Sequence, residues 1–119
     1  MSKNTITESE YEIMKVLWEN GSPMPLGEII VKLNSDWTRN TVGTLLVRLC
    51  EKGVVKAEKQ GKSNLYSALI QEKDYSMSET ENFLSKLYKG SIGNLVACLY
   101  ENKALTEDEV EKLRKIING

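Results

Sequence analysis

Apolar residues recur along this chain in two rhythms, and the change from one to the other divides it. Ile13, Met14 and Leu17 form a first stripe, Leu26, Ile29, Ile30 and Leu33 a second, and Val42, Leu45, Leu46 and Leu49 a third. Each has the three-to-four-residue spacing of one buried helix face. Polar residues mark the boundaries. Thr7 followed by Glu10 is a capping box, with Ile6 and Tyr11 as its hydrophobic staple, so the first helix starts at Thr7 and "NGSPMP" ends it at about Asn20. The second helix tolerates a weakening Gly27 and stops near "NSDW". Thr38 caps the third, Trp37 and Val42 staple it, and Gly53 is placed to end it.

After Gly53 the period shortens. "VVKAEKQ" and "NLYSALI" alternate roughly between apolar and polar positions, and "GKS" joins them with turn freedom from Gly61, which predicts a β-hairpin. A support helix, two helices joined by a tight turn, then a hairpin is the layout of a winged helix-turn-helix. From about Asp74 helical spacing returns. Phe83, Leu84, Leu87 and Tyr88 mark one segment, and Leu95, Val96, Leu99 and Tyr100 another, with a break near Gly90 and Gly93. Thr106 and Glu109 form a second capping box before Leu113, Ile116 and Ile117. The predicted fold is mainly α with a small β-hairpin: a winged-helix domain over residues 1–72 and a helical domain over 73–119. Some 45 residues in thin helices cannot bury that much apolar surface alone. A second copy of the chain is the simplest cover, so Leu84, Leu87, Leu95, Val96, Leu99, Leu113, Ile116 and Ile117 are assigned to a homodimer seam.

Composition narrows the class. Among 119 residues there is no histidine, no Gly-rich phosphate loop and no CxxC pair, which argues against an enzyme and against a bound cofactor or metal. The two cysteines, Cys50 and Cys98, lie in apolar periodic segments and read as buried, unpaired thiols. No long apolar run exists and "MSKNTITESE" lacks a signal-peptide core, so a cytoplasmic location without membrane insertion is expected. The net charge of −1 excludes bulk electrostatic coating of nucleic acid. Its distribution is uneven, however. From Arg39 to Lys62 there are six basic and two acidic residues, whereas from Gln71 onward there are seven basic and nine acidic.

The basic stretch includes the third helix, whose non-core side carries short, uncharged residues instead of the Lys and Glu of a solvated face. In helix-turn-helix proteins this second helix of the motif enters the DNA major groove. Arg39, Asn40, Gly43 and Thr44 are then placed at base edges, with Val47 as a further candidate, and Thr41 belongs to the same DNA-binding set. Asn pairs with adenine, Arg with guanine or phosphate, a Thr or Val methyl packs on the thymine methyl, and Gly43 lets the backbone come close. Thr38, Arg48, Lys52 and the hairpin-tip Lys62 are assigned to phosphates, and Tyr66 of the hairpin joins the DNA-binding set. The partner is double-stranded DNA. A two-fold dimer reads a palindromic operator, and with no sensor domain in so short a chain, repression by occlusion is the simplest outcome. The rival reading is a winged helix that docks on protein without specific DNA binding. A ligand pocket lined by Tyr75, Tyr88 and Tyr100 is a further alternative, although aromatics on apolar stripes are more often core.

Three stretches carry a family resemblance: "TESEYEIMKVLWENG", "DWTRNTVGTLLVRLCEKGVV" and "LTEDEVEKLRKIIN". With the pattern running from Trp37 to Gly53, they resemble the penicillinase-repressor family, the BlaI/MecI/CopY type of bacterial winged-helix regulators. The resemblance implies a homodimeric repressor of β-lactamase or other resistance genes, with a C-terminal dimerisation domain. In the antibiotic-sensing branch, a protease or membrane-sensor pathway relieves repression by cleavage in that domain. The matching stretch here is "NLVACLYEN", which offers Cys98-Leu99 where that branch has Asn-Phe, a departure that argues against proteolytic induction. The paired Cys-x-Cys motifs of the copper-sensing branch have no counterpart in "RKIING". Gly43 stands where the antibiotic-sensing branch implies a larger polar residue, so a different operator is expected.

Overall fold

A computed structural model describes residues 5–119; residues 1–4, on which part of the leader-peptide reading rests, lie outside the described residues. Among the described residues six helices and three strands follow in the order α1 (Glu8–Asn20), β1 (Met24–Pro25), α2 (Leu26–Leu33), α3 (Arg39–Glu51), β2 (Val55–Gln60), β3 (Ser63–Ala68), α4 (Glu72–Tyr88), α5 (Ile92–Glu101) and α6 (Glu107–Asn118). The chain divides into two compact units that part between Tyr75 and Ser76.

Local chemistry sets the ends of these elements. Thr7 and Glu10 form the reciprocal capping box of α1, Thr106 and Glu109 that of α6. The Thr38 hydroxyl accepts from the Thr41 amide at the start of α3. At the other end, the Gly53 amide donates to the Cys50 carbonyl and that of Val54 to Leu49, a tight turn that Gly53 permits with φ at +78°. In the first unit Ile13, Met14 and Leu17 of α1, Ile29 of α2, and Val42, Leu45, Leu46 and Leu49 of α3 pack into one core with Met24, Val54 and Val55. Tyr11 and Trp18 of α1 meet Tyr75 in a three-ring cluster with centroids about 6 Å apart, and the Trp18 indole N–H donates to the Ile70 carbonyl. Tyr75 is therefore core, not the wall of a ligand pocket.

The sheet corrects the expected two-stranded hairpin. Its order is β1-β3-β2, all antiparallel, with Met24 opposite Tyr66 and Pro25 opposite Leu65. Two residues are too few to show alternation, and Pro25, which has no amide hydrogen, suits an edge strand. The hairpin turn is also one residue shorter than read: Gln60 pairs with Ser63, leaving Gly61 and Lys62 as the turn, with Gly61 at φ +62°.

Helix α4 starts at Glu72, at the end of the first unit and before the expected Asp74, and stops in the second unit at Lys89 and Gly90, which have φ of 53° and 78°. Ser91 caps α5 through the Asn94 amide, so Gly93 lies inside that helix and is no break. No residue of α5 or α6 is buried. No described helix is long and apolar enough to cross a membrane.

Candidate nucleic-acid interface

The four apolar positions of α3 that face the core are buried, with Leu45 least so at 6% exposed. That anchorage fixes which residues face outward. Arg39, Asn40, Thr41, Thr44, Val47 and Arg48 are all exposed, and Gly43 is half-buried among them. Asn40, Gly43, Thr44 and Val47 follow one another at the spacing of a single helix face. Among the described residues Arg39, Arg48 and Lys62 carry no ion pair, so their charges are available to an external anion. The surface joins short neutral side chains with free cations and has no acid on its N-terminal half, a composition suited to a polyanion with patterned edges.

Thr38 and Thr41 are tied to each other. Their hydroxyls lie 3.1 Å apart while Thr38 also caps the helix, so each retains only part of its hydrogen-bonding capacity for a ligand. Gly43 has no structural reason to be glycine. Its backbone is not in the left-handed region, and a Cβ built there meets nothing within 4 Å. In a helix interior glycine costs about 1 kcal/mol relative to alanine. Val47 is 56% exposed, one helical turn further along.

The hairpin β2–β3 presents Lys56, Lys59 and Lys62 on exposed positions. Lys56 is already paired with Glu58 at 2.7 Å, which draws the Glu58 carboxyl below its usual pKa. Tyr66, placed among the DNA-binding residues from sequence, is half-buried against the core beside β1. Its ring serves packing. The signal was available in its alternation with Ala68, since both lie on the inward side of β3.

Lys52 requires a larger correction. Its ammonium does not project toward a phosphate; it donates to Glu10 Oε1 at 2.6 Å and to the Thr5 carbonyl at 3.0 Å. Glu10 is 1% exposed and accepts from the Thr7 amide as well, at 2.9 Å. Burial alone would raise the Glu10 carboxyl, but the hydrogen bonds from Lys52 and from the Thr7 backbone outweigh it and hold its pKa below the ordinary value. The C-terminal end of α3 is thus latched to the start of α1. Nothing in the sequence pairs two residues 42 positions apart.

Both cysteines are free and half-buried, less enclosed than expected. Burial, helped by Glu51, pushes the Cys50 thiol up, which keeps it protonated and unreactive. Cys98 accepts a hydrogen bond from the Tyr88 hydroxyl at 3.7 Å, so Tyr88 also serves internal contact, whereas Tyr100 is exposed. Among the described residues no cluster of His, Cys, Asp or Glu is arranged to hold a metal.

Comparison with known proteins covers almost the whole chain. The penicillinase repressor family model matches residues 6–119. The methicillin resistance regulatory protein MecI of Staphylococcus aureus strain N315 is 34% identical over 115 residues, 95% of this chain and 93% of that protein. The penicillinase repressor of Bacillus licheniformis is 33% identical over 114 residues, 94% of this chain and 88% of that protein. In structure, the DNA-binding domain of the repressor BlaI matches with a TM-score of 0.55 and 36% identity, over 60% of this chain and 89% of that one. The monomeric form of Bacillus licheniformis BlaI in complex with the blaP half-operator matches with a TM-score of 0.51 and 37% identity, over 60% and 88%.

Proposed function

The chain belongs to the penicillinase repressor family, and on that premise we propose that it is a sequence-specific DNA-binding transcriptional repressor, acting as a homodimer on a palindromic operator. The observation that carries this reading is the exposed side of α3. Short uncharged residues and unpaired arginines lie together there, in a chain 37% identical, over 60% of its length, to the BlaI monomer solved in complex with the blaP half-operator. Arg39, Asn40, Gly43 and Thr44 meet base edges, while Thr38, Thr41, Arg48 and Lys62 hold phosphates and fix the register. The 1–72 segment acts as the DNA-binding domain and 73–119 as the dimerisation domain. A repressor of this kind works where the chromosome is, in the bacterial cytoplasm. The names of its relatives direct the search for its targets to β-lactamase and other resistance genes.

Self-association is supported by what the second unit leaves uncovered. Leu87, Ile116 and Ile117 are 57%, 67% and 80% exposed, and Val96, Leu105, Val110 and Leu113 line an open apolar groove of about 280 Å³. Leu84, Leu95 and Leu99 are half-buried in the same unit. A two-fold partner covers such a face with the same face. Cleavage between Cys98 and Leu99 forms no part of the proposal, since that bond lies inside α5 and a protease needs extended backbone.

Selection from a random duplex pool with the full chain tests the reading. The expected result is an inverted-repeat consensus bound by two chains, with affinity falling steeply as salt rises. Binding indifferent to sequence refutes it and favours a protein-docking role for the same face.

A further inference from the structure

We propose that Gly43 and Val47 form a methyl-sized notch that selects a thymine in each operator half-site, so that Gly43 is kept for base recognition at the expense of its helix. The inference rests on the DNA-binding reading above and deepens it.

Gly43 satisfies none of the usual internal requirements for glycine. The left-handed region is not used there, and no neighbour crowds the place of a side chain. The absence of a side chain leaves open space on the outward face, with no atom within 4 Å of a Cβ built there. Val47 lies one turn toward the C-terminus and Asn40 one turn toward the N-terminus, both exposed, on a face where successive Cβ atoms are about 5–6 Å apart. Val47 is β-branched, so its two methyls are held in one rotamer along the rim. An exposed valine among Asn40, Thr44 and Arg48 gains nothing from water.

The major groove offers only one protruding apolar group, the thymine 5-methyl. In a T·A pair the adenine edge lies beside it, where Asn40 supplies the matching donor and acceptor. The notch and the amide together read both halves of one base pair. A larger residue at position 43 would fill the space that the methyl needs.

The test uses the selected operator with single thymines replaced by uracil, which removes the methyl and nothing else, against the wild-type full chain, Val47→Ala and Gly43→Ala. One uracil position per half-site is expected to weaken wild type about four-fold, the equivalent of one buried methylene at about 0.8 kcal/mol. Val47→Ala abolishes that sensitivity at the same position and keeps it elsewhere. Gly43→Ala melts at a higher temperature than wild type yet binds the thymine operator more weakly, with the preference for thymine over uracil lost there. A selected operator whose uracil profile is the same for all three proteins overturns the notch and leaves the repressor reading intact. Failure of wild type to select any duplex overturns both.

Discussion

Glu10 and Lys52 show how one carboxylate joins two ends of a domain. The Glu10 side chain completes a helix cap and holds the ammonium of a lysine at the C-terminal end of α3. Removing the cation leaves a buried acid without its partner. Lys52→Met is expected to destabilise the fold by roughly 3 kcal/mol, the lower end for a broken buried pair because Lys52 is itself partly solvated. Urea denaturation measures the loss. The same variant should leave the salt dependence of operator binding unchanged, since Lys52 meets no phosphate. Lys62→Met, in contrast, should flatten the log–log slope by about 0.9 for each chain bound. Equal slopes for the two variants would return Lys52 to the interface. Acid provides an independent check. The Glu10 pKa is depressed in the folded state, so its stabilisation is fully present above the unfolded value near 4.5 and is lost as pH falls through the folded value. The stability gap between wild type and Glu10→Gln should therefore be wide at neutral pH and close in acid; a gap that persists at low pH assigns the effect to packing.

At the scale of elements, the helix ends carry the most local information. Thr38 combines a cap for α3 with a hydroxyl near the proposed phosphate contacts, so Thr38→Ala is expected to cost about 1 kcal/mol of stability, read as a shifted urea midpoint at constant slope. Capping boxes, staples and 3.6-residue stripes made α1, α2, α3 and α6 legible from sequence because each signal is contained within a few residues. Strand β1 was not legible, because its two residues are strand only through pairing with β3 from some forty positions away. The same distinction separates the site residues. Asn40, Gly43, Thr44 and Arg48 follow from helical rotation once the core stripe is known. Tyr66 and Lys52 are set by tertiary neighbours, β1 and Glu10, that no periodicity exposes.

For the whole molecule, the question is why its second unit, Ser76–Gly119, has so little buried core. The first unit contains all the described buried apolar residues, up to Tyr75, while α5 and α6 bury none. The apolar faces of α5 and α6 are uncovered in the single chain, an unfavourable surface in water that the proposed partner copy would cover. Ile117 is the sharpest probe because it is 80% exposed in the single chain, so a polar replacement costs the fold little. Fully burying an isoleucine contributes about 1.5–3 kcal/mol, and a two-fold axis counts it twice. Ile117→Asp should then raise the dimer dissociation constant by roughly a hundred-fold or more, which sedimentation velocity resolves as monomer. Circular dichroism should remain that of a helical protein. Half-site binding by the monomer should survive at reduced affinity, since the α3 surface is intact, while the full palindrome loses the gain from two linked sites. A variant that stays dimeric removes Ile117 from the seam, and one that is monomeric yet binds the palindrome as tightly as wild type breaks the link between dimerisation and operator recognition.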